Sequence, residues 1–291
     1  MSQGLGVFDM WLRRAAGGVL AVSFLVFALM AGLARLAPAH HGRVPDALEE
    51  QWRPDLAQVR SVDAAMRILP SYVERQHGSR EARIAAGIDQ FVRDRFFHET
   101  SLLSWRENWL AVAAGEYWMN LRVPVQPDAI LHHRRAICSQ QAIVFMEMLR
   151  RAGLHYAAVG MSWPSSDPAS TGHFAVAAKV DGRWMYFDSD QEPPVESVPF
   201  ESIRDGSALD RLYGNKPGLL RDMHYAAAHG RIRLAYVDGF AAPRGGLFQD
   251  VTAWLSAWGW LVLGLLAFAC VAPELRPRRT ARLRWRPVPA E

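Results

Sequence analysis

Residues 172–190 read GHFAVAAKVDGRWMYFDSD. Two β-type runs meet at Asp181-Gly182, the strongest short-range hairpin signal, because both positions must take positive φ in the tight turn that suits twisted strands. With these two residues as the loop, Val180 pairs with Arg183. His173 then falls opposite Asp190, and Ala175 opposite Asp188. Opposed residues share a face and side chains alternate along each strand. His173 and Asp188 are therefore diagonal neighbours on one face, roughly 7–8 Å apart at Cα and within side-chain reach. Asp190 lies on the same face and is a rival partner for the imidazole.

Upstream, Ala136-Ile137-Cys138-Ser139 opens an apolar run through Ile143, Val144, Phe145, Met148 and Leu149, with Gly153 as a stop signal. The spacing predicts a helix that begins at Cys138. Unpaired backbone N–H groups and the helix dipole favour negative charge at such a start. If this helix packs across the hairpin, Cys138, His173 and Asp188 are a nucleophile, a base and an orienter, the arrangement of cysteine acyl-transfer enzymes. The backbone N–H of Cys138 is one donor for an oxyanion. Asn120, Gln126, His132 and Gln140 are the candidates for a second.

These segments resemble the transglutaminase-like superfamily. The resemblance lies in the Cys138 helix ending Leu149-Arg150-Arg151-Ala152-Gly153, in Gly172-His173-Phe174-Ala175, and in Gly182-Arg183-Trp184-Met185-Tyr186-Phe187-Asp188. It covers roughly Trp105 to Asp190. It implies an α+β, papain/transglutaminase-like domain with a small antiparallel sheet and a Cys-His-Asp triad for thiol acyl transfer. Bacterial members are often peptidases or amidases. The sequence departs from the family pattern at Arg135-Ala136-Ile137, where a glycine often precedes the cysteine.

Around this core, apolar spacing predicts helices over Ala47 to Leu69 (interrupted at Pro54 and ended by Pro70), Arg80 to Phe97 and Trp105 to Met119. Their apolar stripes read as core packing. Pro124 and Pro127 open a loop to Arg134-Arg135. Tyr156 to Met161 reads as a further strand. The chain beyond Asp190 reads as irregular, with one short helix over Leu219 to Ala228. His132-His133 with Cys138 has no zinc-ligand spacing, and no phosphate-binding loop is present. The reading therefore calls for no metal and no cofactor.

Ala15–Ala34 and Val251–Pro273 are uncharged runs of 20 and 23 residues, and about 20 helical residues cross a bilayer. Trp254, Trp258 and Trp260 suit an interfacial belt. Arg13 and Arg14 precede the first run, and six arginines from Arg276 to Arg286 follow the second. Positive-inside bias then places both termini in the cytoplasm. The organisation expected is a cytoplasmic tail (1–14), a transmembrane helix (15–36), an exported domain (37–250, core about 105–190), a second transmembrane helix (251–273) and a basic tail (274–291). Ala37-Pro38-Ala39 resembles a signal-peptidase site, but the apolar run is long for a signal peptide, which favours an uncleaved helix.

The 291 residues are 50% hydrophobic with only two cysteines, Cys138 and Cys270, so a disordered chain, a disulfide scaffold and a multi-cysteine zinc module are excluded. Of the net charge of +4, residues 1–34 carry +1 and residues 274–291 carry +4, which leaves the middle at −1. The basic excess marks the membrane-flanking ends and gives no support for nucleic acid. The sequence thus predicts a thiol acyl-transfer enzyme of the bacterial inner membrane with its domain in the periplasm, most simply a peptide or amide hydrolase. Its expected partners are the lipid bilayer and an envelope protein, a peptidoglycan peptide or a polysaccharide-export partner. A catalytically silent interaction module on the same fold is the alternative.

Overall fold

The computed structural model describes residues 2–37, 52–166, 171–190 and 197–275. The 37–39 cleavage motif (beyond Ala37), the His40–Pro45 linker, the start of the helix expected from Ala47, Pro193-Pro194 and the basic tail from Arg276 lie outside the described residues.

The elements run α1 (Ser2–Leu36), α2 (Val62–Val73), α3 (Arg80–Arg95), α4 (Trp105–Gly115), α5 (Pro127–Leu131), α6 (Cys138–Arg151), β1 (Tyr156–Ser162), β2 (Gly172–Val180), β3 (Arg183–Phe187), β4 (Val198–Pro199), α7 (Phe200–Arg204), α8 (Leu209–Tyr213), α9 (Pro217–Ala228), β5 (Ile232–Ala235) and α10 (Pro243–Leu275). They form two compact units. One takes α1, Trp105–Leu110 and α10 from Val251 onward; the other takes the chain up to Ser104 from beyond α1, together with Ala111–Asp250.

The second unit is built on an antiparallel five-stranded sheet of order β4-β3-β2-β1-β5. The β2–β3 hairpin has the register read from the sequence, from Val180↔Arg183 to Val176↔Phe187. Asp181 and Gly182 both have positive φ, 49° and 82°, as a two-residue hairpin turn of this hand requires. One face of the sheet is covered by α2, α3 and α6, whose Leu69, Ile88, Phe91, Phe145 and Met148 pack on Ala158, Val176 and Ala178. The other face is covered by α7, α8 and α9, whose Ile203, Leu209, Leu212 and Met223 pack on Val159, Ala175, Ala177 and Tyr186. Each large apolar side chain so buried contributes about 1.5–3 kcal/mol.

The helix ends follow local chemistry. The Ser61 and Ser79 hydroxyls accept from the backbone N–H groups of Ala64 and Ala82, each at 3.2 Å, and start α2 and α3. Gly153, with φ +73°, follows α6.

Three expectations are corrected. Pro70 does not end α2. The helix continues to Val73, because Leu69 and Tyr72 are buried in the core and the Pro70 carbonyl still accepts from Glu74 at 3.0 Å. The Trp105–Met119 stripe is not one helix packed on the sheet. Asn108 is non-helical (φ −160°, ψ 84°) and kinks α4. Its side chain bonds Thr252 at 2.8 Å and Ser256 at 3.1 Å, and Trp109 packs edge-on against Phe27 at 5.1 Å, so Trp105–Leu110 belongs with the terminal helices, whereas Ala111 and Val112 are buried in the other unit. The chain beyond Asp190 is far from irregular: it supplies β4, β5 and the three helices of the second layer.

The helices α1 and α10 hold spans of 23 and 30 residues, Arg14–Leu36 and Pro243–Ala272, each long and apolar enough to cross a membrane. Gly259 and Gly264 lie under the rings of Phe27 and Phe24, where a Cβ would come within 3.0 and 2.9 Å of ring carbons. Small residues at such contacts let apolar helices approach.

Gly172 begins β2 where a Cβ would collide with the Met161 carbonyl oxygen. We expect Gly172→Ala to destabilise the sheet by about 1–3 kcal/mol, read as a lower thermal midpoint of the purified full-length chain. Gly218→Ala, where nothing lies within 4 Å, is the matched control and should leave the midpoint in place.

Candidate active site

Cys138 is the first residue of α6, and the side chain of Gln140 fixes that start. Gln140 Oε1 accepts from the N–H groups of Ile137 (3.2 Å) and Ser101 (3.3 Å), while Nε2 donates to the Ser101 and Pro124 carbonyls. The backbone N–H groups of Gln140 and Gln141 bond back to the Ile137 carbonyl. Those of Cys138 and Ser139 have no partner among the described residues and lie at the exposed start of the helix.

The register puts His173, near the beginning of β2, at the sheet end beside this helix start. His173 Nε2 bonds Asp188 Oδ2 at 2.8 Å, with both side chains almost fully buried. Nδ1 is then the ring nitrogen available to Cys138, whose sulfur lies within 4.8 Å of a His173 ring nitrogen. The three residues read from the sequence are thus brought together in nucleophile, base and orienter order.

Asp188 is held from several sides. Tyr213 Oη donates to Oδ2 at 2.5 Å, Tyr186 Oη lies at 3.4 Å, and the Asp190 N–H donates to Oδ1 at 3.2 Å. Arg93 of α3 donates to the Asp188 backbone carbonyl and bonds Asp89 at 2.8 Å, and Asp89 in turn accepts from Ser189 at 2.8 Å. The turn after β3 is therefore tied to α3 by a buried polar chain.

The electrostatics follow from this burial. Burial opposes a charge on Asp188, but His173, the Tyr213 hydroxyl and Arg93 more than offset it and hold the carboxyl well below the usual carboxylate range. Burial likewise opposes charge on His173, yet the Asp188 charge, the hydrogen bond to it and Cys138 raise it well above 6.5. Burial and the adjacent Asp188 charge push the hydroxyls of Tyr186 and Tyr213 well up, so both remain protonated donors.

Asp190 takes a different place. Its Oδ1 accepts from Gln141 Nε2 at 3.0 Å and bonds His98 Nδ1 at 2.5 Å. One ligand atom each from Cys138, His173 and Asp190 lies within 4.8 Å of the others, and this is the group at the site able to hold a metal ion. His132, exposed after α5, takes no part in it. None of the four side chains weighed as a second oxyanion donor reaches Cys138. Gln140 is consumed in capping, Gln126 bonds Asp250 at 2.9 Å, and Asn120 and His132 are exposed elsewhere.

Cys138, Ser139 and His173 open onto a groove of about 730 Å³. Its floor is made by Gly160 and Gly172, and nothing lies within 4 Å of where a Gly160 side chain would be. Arg231 and Arg233 are among its lining residues; neither forms an ion pair with a described residue, and among the described residues no acidic side chain lines the groove.

Residues 73–201 match the family model of the transglutaminase-like domain. The chain carries a transglutaminase-like domain. No curated protein matches the chain. The matched segment of the transglutaminase-like domain holds Cys138, His173, Asp188 and Arg93, whereas Tyr213, Arg231 and Arg233 lie beyond it. These three, with Gln141 and His98, were not found by sequence reasoning. Only the short apolar alternation Ile232-Arg233-Leu234 carried a signal.

The shifts fix a pH window. His173 has a raised folded value, so its contribution to stability is complete below 6.5 and is lost as pH climbs through that value. Asp188 has a depressed one, so its contribution is present above 3.8 and is lost as pH falls below. The pair stabilises most between those limits. We expect the His173 ring, followed by NMR in the full-length chain, to titrate above 6.5, and Asp188→Asn to lower that midpoint, because the carboxylate charge is gone while the burial that opposes an imidazolium remains. An unchanged midpoint in Asp188→Asn would remove Asp188 as the orienter.

Proposed function

We propose that this protein is a membrane-anchored cysteine hydrolase that performs thiol acyl transfer on a peptide or amide substrate of the cell envelope. The observation that carries the reading is the buried His173–Asp188 pair beside a half-buried Cys138, opening at a helix start onto a groove. In the reaction, the Cys138 proton passes to His173 Nδ1 and the sulfur bonds the substrate carbonyl carbon. The resulting oxyanion faces the Cys138 and Ser139 N–H groups. His173 returns its proton to the leaving amine as the C–N bond breaks and a thioester remains. Water then attacks the thioester carbon, gives a proton to His173 and releases the acid, and the thiol is restored. Asp188 keeps its charge throughout and holds the imidazole in the required tautomer.

Arg231 and Arg233 in the groove favour acyl donors that carry carboxylates near the scissile bond. Peptidoglycan peptides and acidic segments of envelope proteins have that chemistry. The two long apolar helices support anchoring, and the arginine bias at the chain ends supports a periplasmic domain with both termini cytoplasmic. In spheroplasts, added protease should cut the domain and spare a tag on the C-terminus.

Purified full-length protein should hydrolyse carboxylate-bearing peptide amides. Cys138→Ala and His173→Ala should each lower kcat/KM by about 10²–10⁴ or more, with the fold retained by circular dichroism. Arg231→Ala/Arg233→Ala should raise KM for anionic substrates and leave kcat and neutral substrates nearly unchanged. Undiminished turnover in Cys138→Ala would refute the hydrolase, and an unaltered cellular phenotype in that variant would favour the silent module.

A further inference from the structure

We propose that Cys138, His173 and Asp190 form a reversible site for a zinc-type divalent cation, and that its occupancy silences the nucleophile. Their ligand atoms lie within 4.8 Å of one another. Zinc bonds to sulfur, nitrogen and oxygen of about 2.0–2.3 Å set somewhat shorter edges, so closing the triangle takes side-chain adjustments of about an ångström.

The donor set has the right chemistry. A thiolate, an imidazole and one carboxylate suit a borderline-soft ion such as Zn²⁺ or Co²⁺; hard Ca²⁺ and Mg²⁺ prefer all-oxygen sites. Three protein ligands leave a fourth position for water on the groove side, the pattern of an open tetrahedral site.

The surroundings supply an independent observation. A metal-binding histidine usually donates its other ring N–H to a carboxylate, which fixes its tautomer and orientation. His173 Nε2 does this with Asp188 at 2.8 Å, leaving Nδ1 for the ion. Asp190 is fixed in the same way by Gln141 Nε2 at 3.0 Å and His98 Nδ1 at 2.5 Å. Two of the three ligands are thus buried and already oriented by other side chains, and the third sits at the mouth of an open groove. Asp190 has no step in the acyl-transfer cycle, where Asp188 holds the imidazole, and a metal ligand is a use for its position.

Binding forms a sulfur–metal bond as the Cys138 thiol proton goes to solvent, and the sulfur is then unavailable to a carbonyl carbon. The site itself stands on the three side chains; its effect on turnover rests on the hydrolase reading above.

The test uses the full-length chain in detergent with Co²⁺ as the spectroscopic probe and Zn²⁺ as competitor. We expect a thiolate-to-cobalt charge-transfer band that Zn²⁺ displaces and that Cys138→Ser abolishes. Asp190→Asn should weaken cobalt affinity at least about tenfold, while Asp190→Glu should restore binding. Thermal melts of both variants separate loss of the site from loss of the fold. Zn²⁺ should inhibit the wild type, and a chelator should reverse it. Absence of the band, or equal cobalt affinity in folded Asp190→Asn, overturns the site even if hydrolysis is normal. The band in a protein with no hydrolytic activity upholds the site and discards the hydrolase reading.

Discussion

A buried carboxylate governs this site. Asp188 sits in the interior at a charge that burial opposes, and such a group persists only where it is paired and hydrogen-bonded. His173, Tyr213, Tyr186 and a backbone N–H meet that demand on its oxygens, and Arg93 grips its backbone carbonyl. The partners come from β2, α8, β3 and α3. Satisfying one charge therefore draws together both helical layers and the central hairpin, and the imidazole is left with one defined orientation toward Cys138.

The rest of the architecture serves the same geometry from the nucleophile's side. Gln140 ties the beginning of α6 to Ser101 and Pro124, which sets the position of the Cys138 sulfur and leaves two N–H groups beside it unpartnered. Gly160 lines the groove without a side chain, and nothing lies within 4 Å of where one would be, so the groove is open there. Arg231, just before β5, and Arg233 within it line the groove. Binding charge and reacting groups thus occupy different elements, and one can vary without the other.

Much of this was legible in the sequence. Asp181-Gly182 sets the hairpin register, and the register alone brings His173 to Asp188. The apolar run from Cys138 to Gly153 marks α6 because its periodicity and stop signal agree. What escaped were partners fixed by tertiary packing. Arg93 and Tyr213 reach Asp188 from 95 and 25 residues away, and no local pattern announces a buried hydrogen bond of that span. Pro70 was read as a stop on propensity, which burial of Leu69 and Tyr72 overrode. The segment after Asp190 looked irregular because its helices are short and rich in turn residues, yet they bury the second face of the sheet. Asn108 shows the reverse error: its neighbours have a core-like stripe, but they pack on the terminal helices.

The central claim is that Cys138, activated by His173, forms a covalent acyl-enzyme. Its most direct test is mass spectrometry of the full-length protein after incubation with a peptide carrying an acyl electrophile in place of the scissile amide. The account predicts stoichiometric labelling at Cys138, lost in His173→Ala and absent at Cys270. Labelling that is indifferent to His173, or an unlabelled Cys138 in the folded protein, would contradict it.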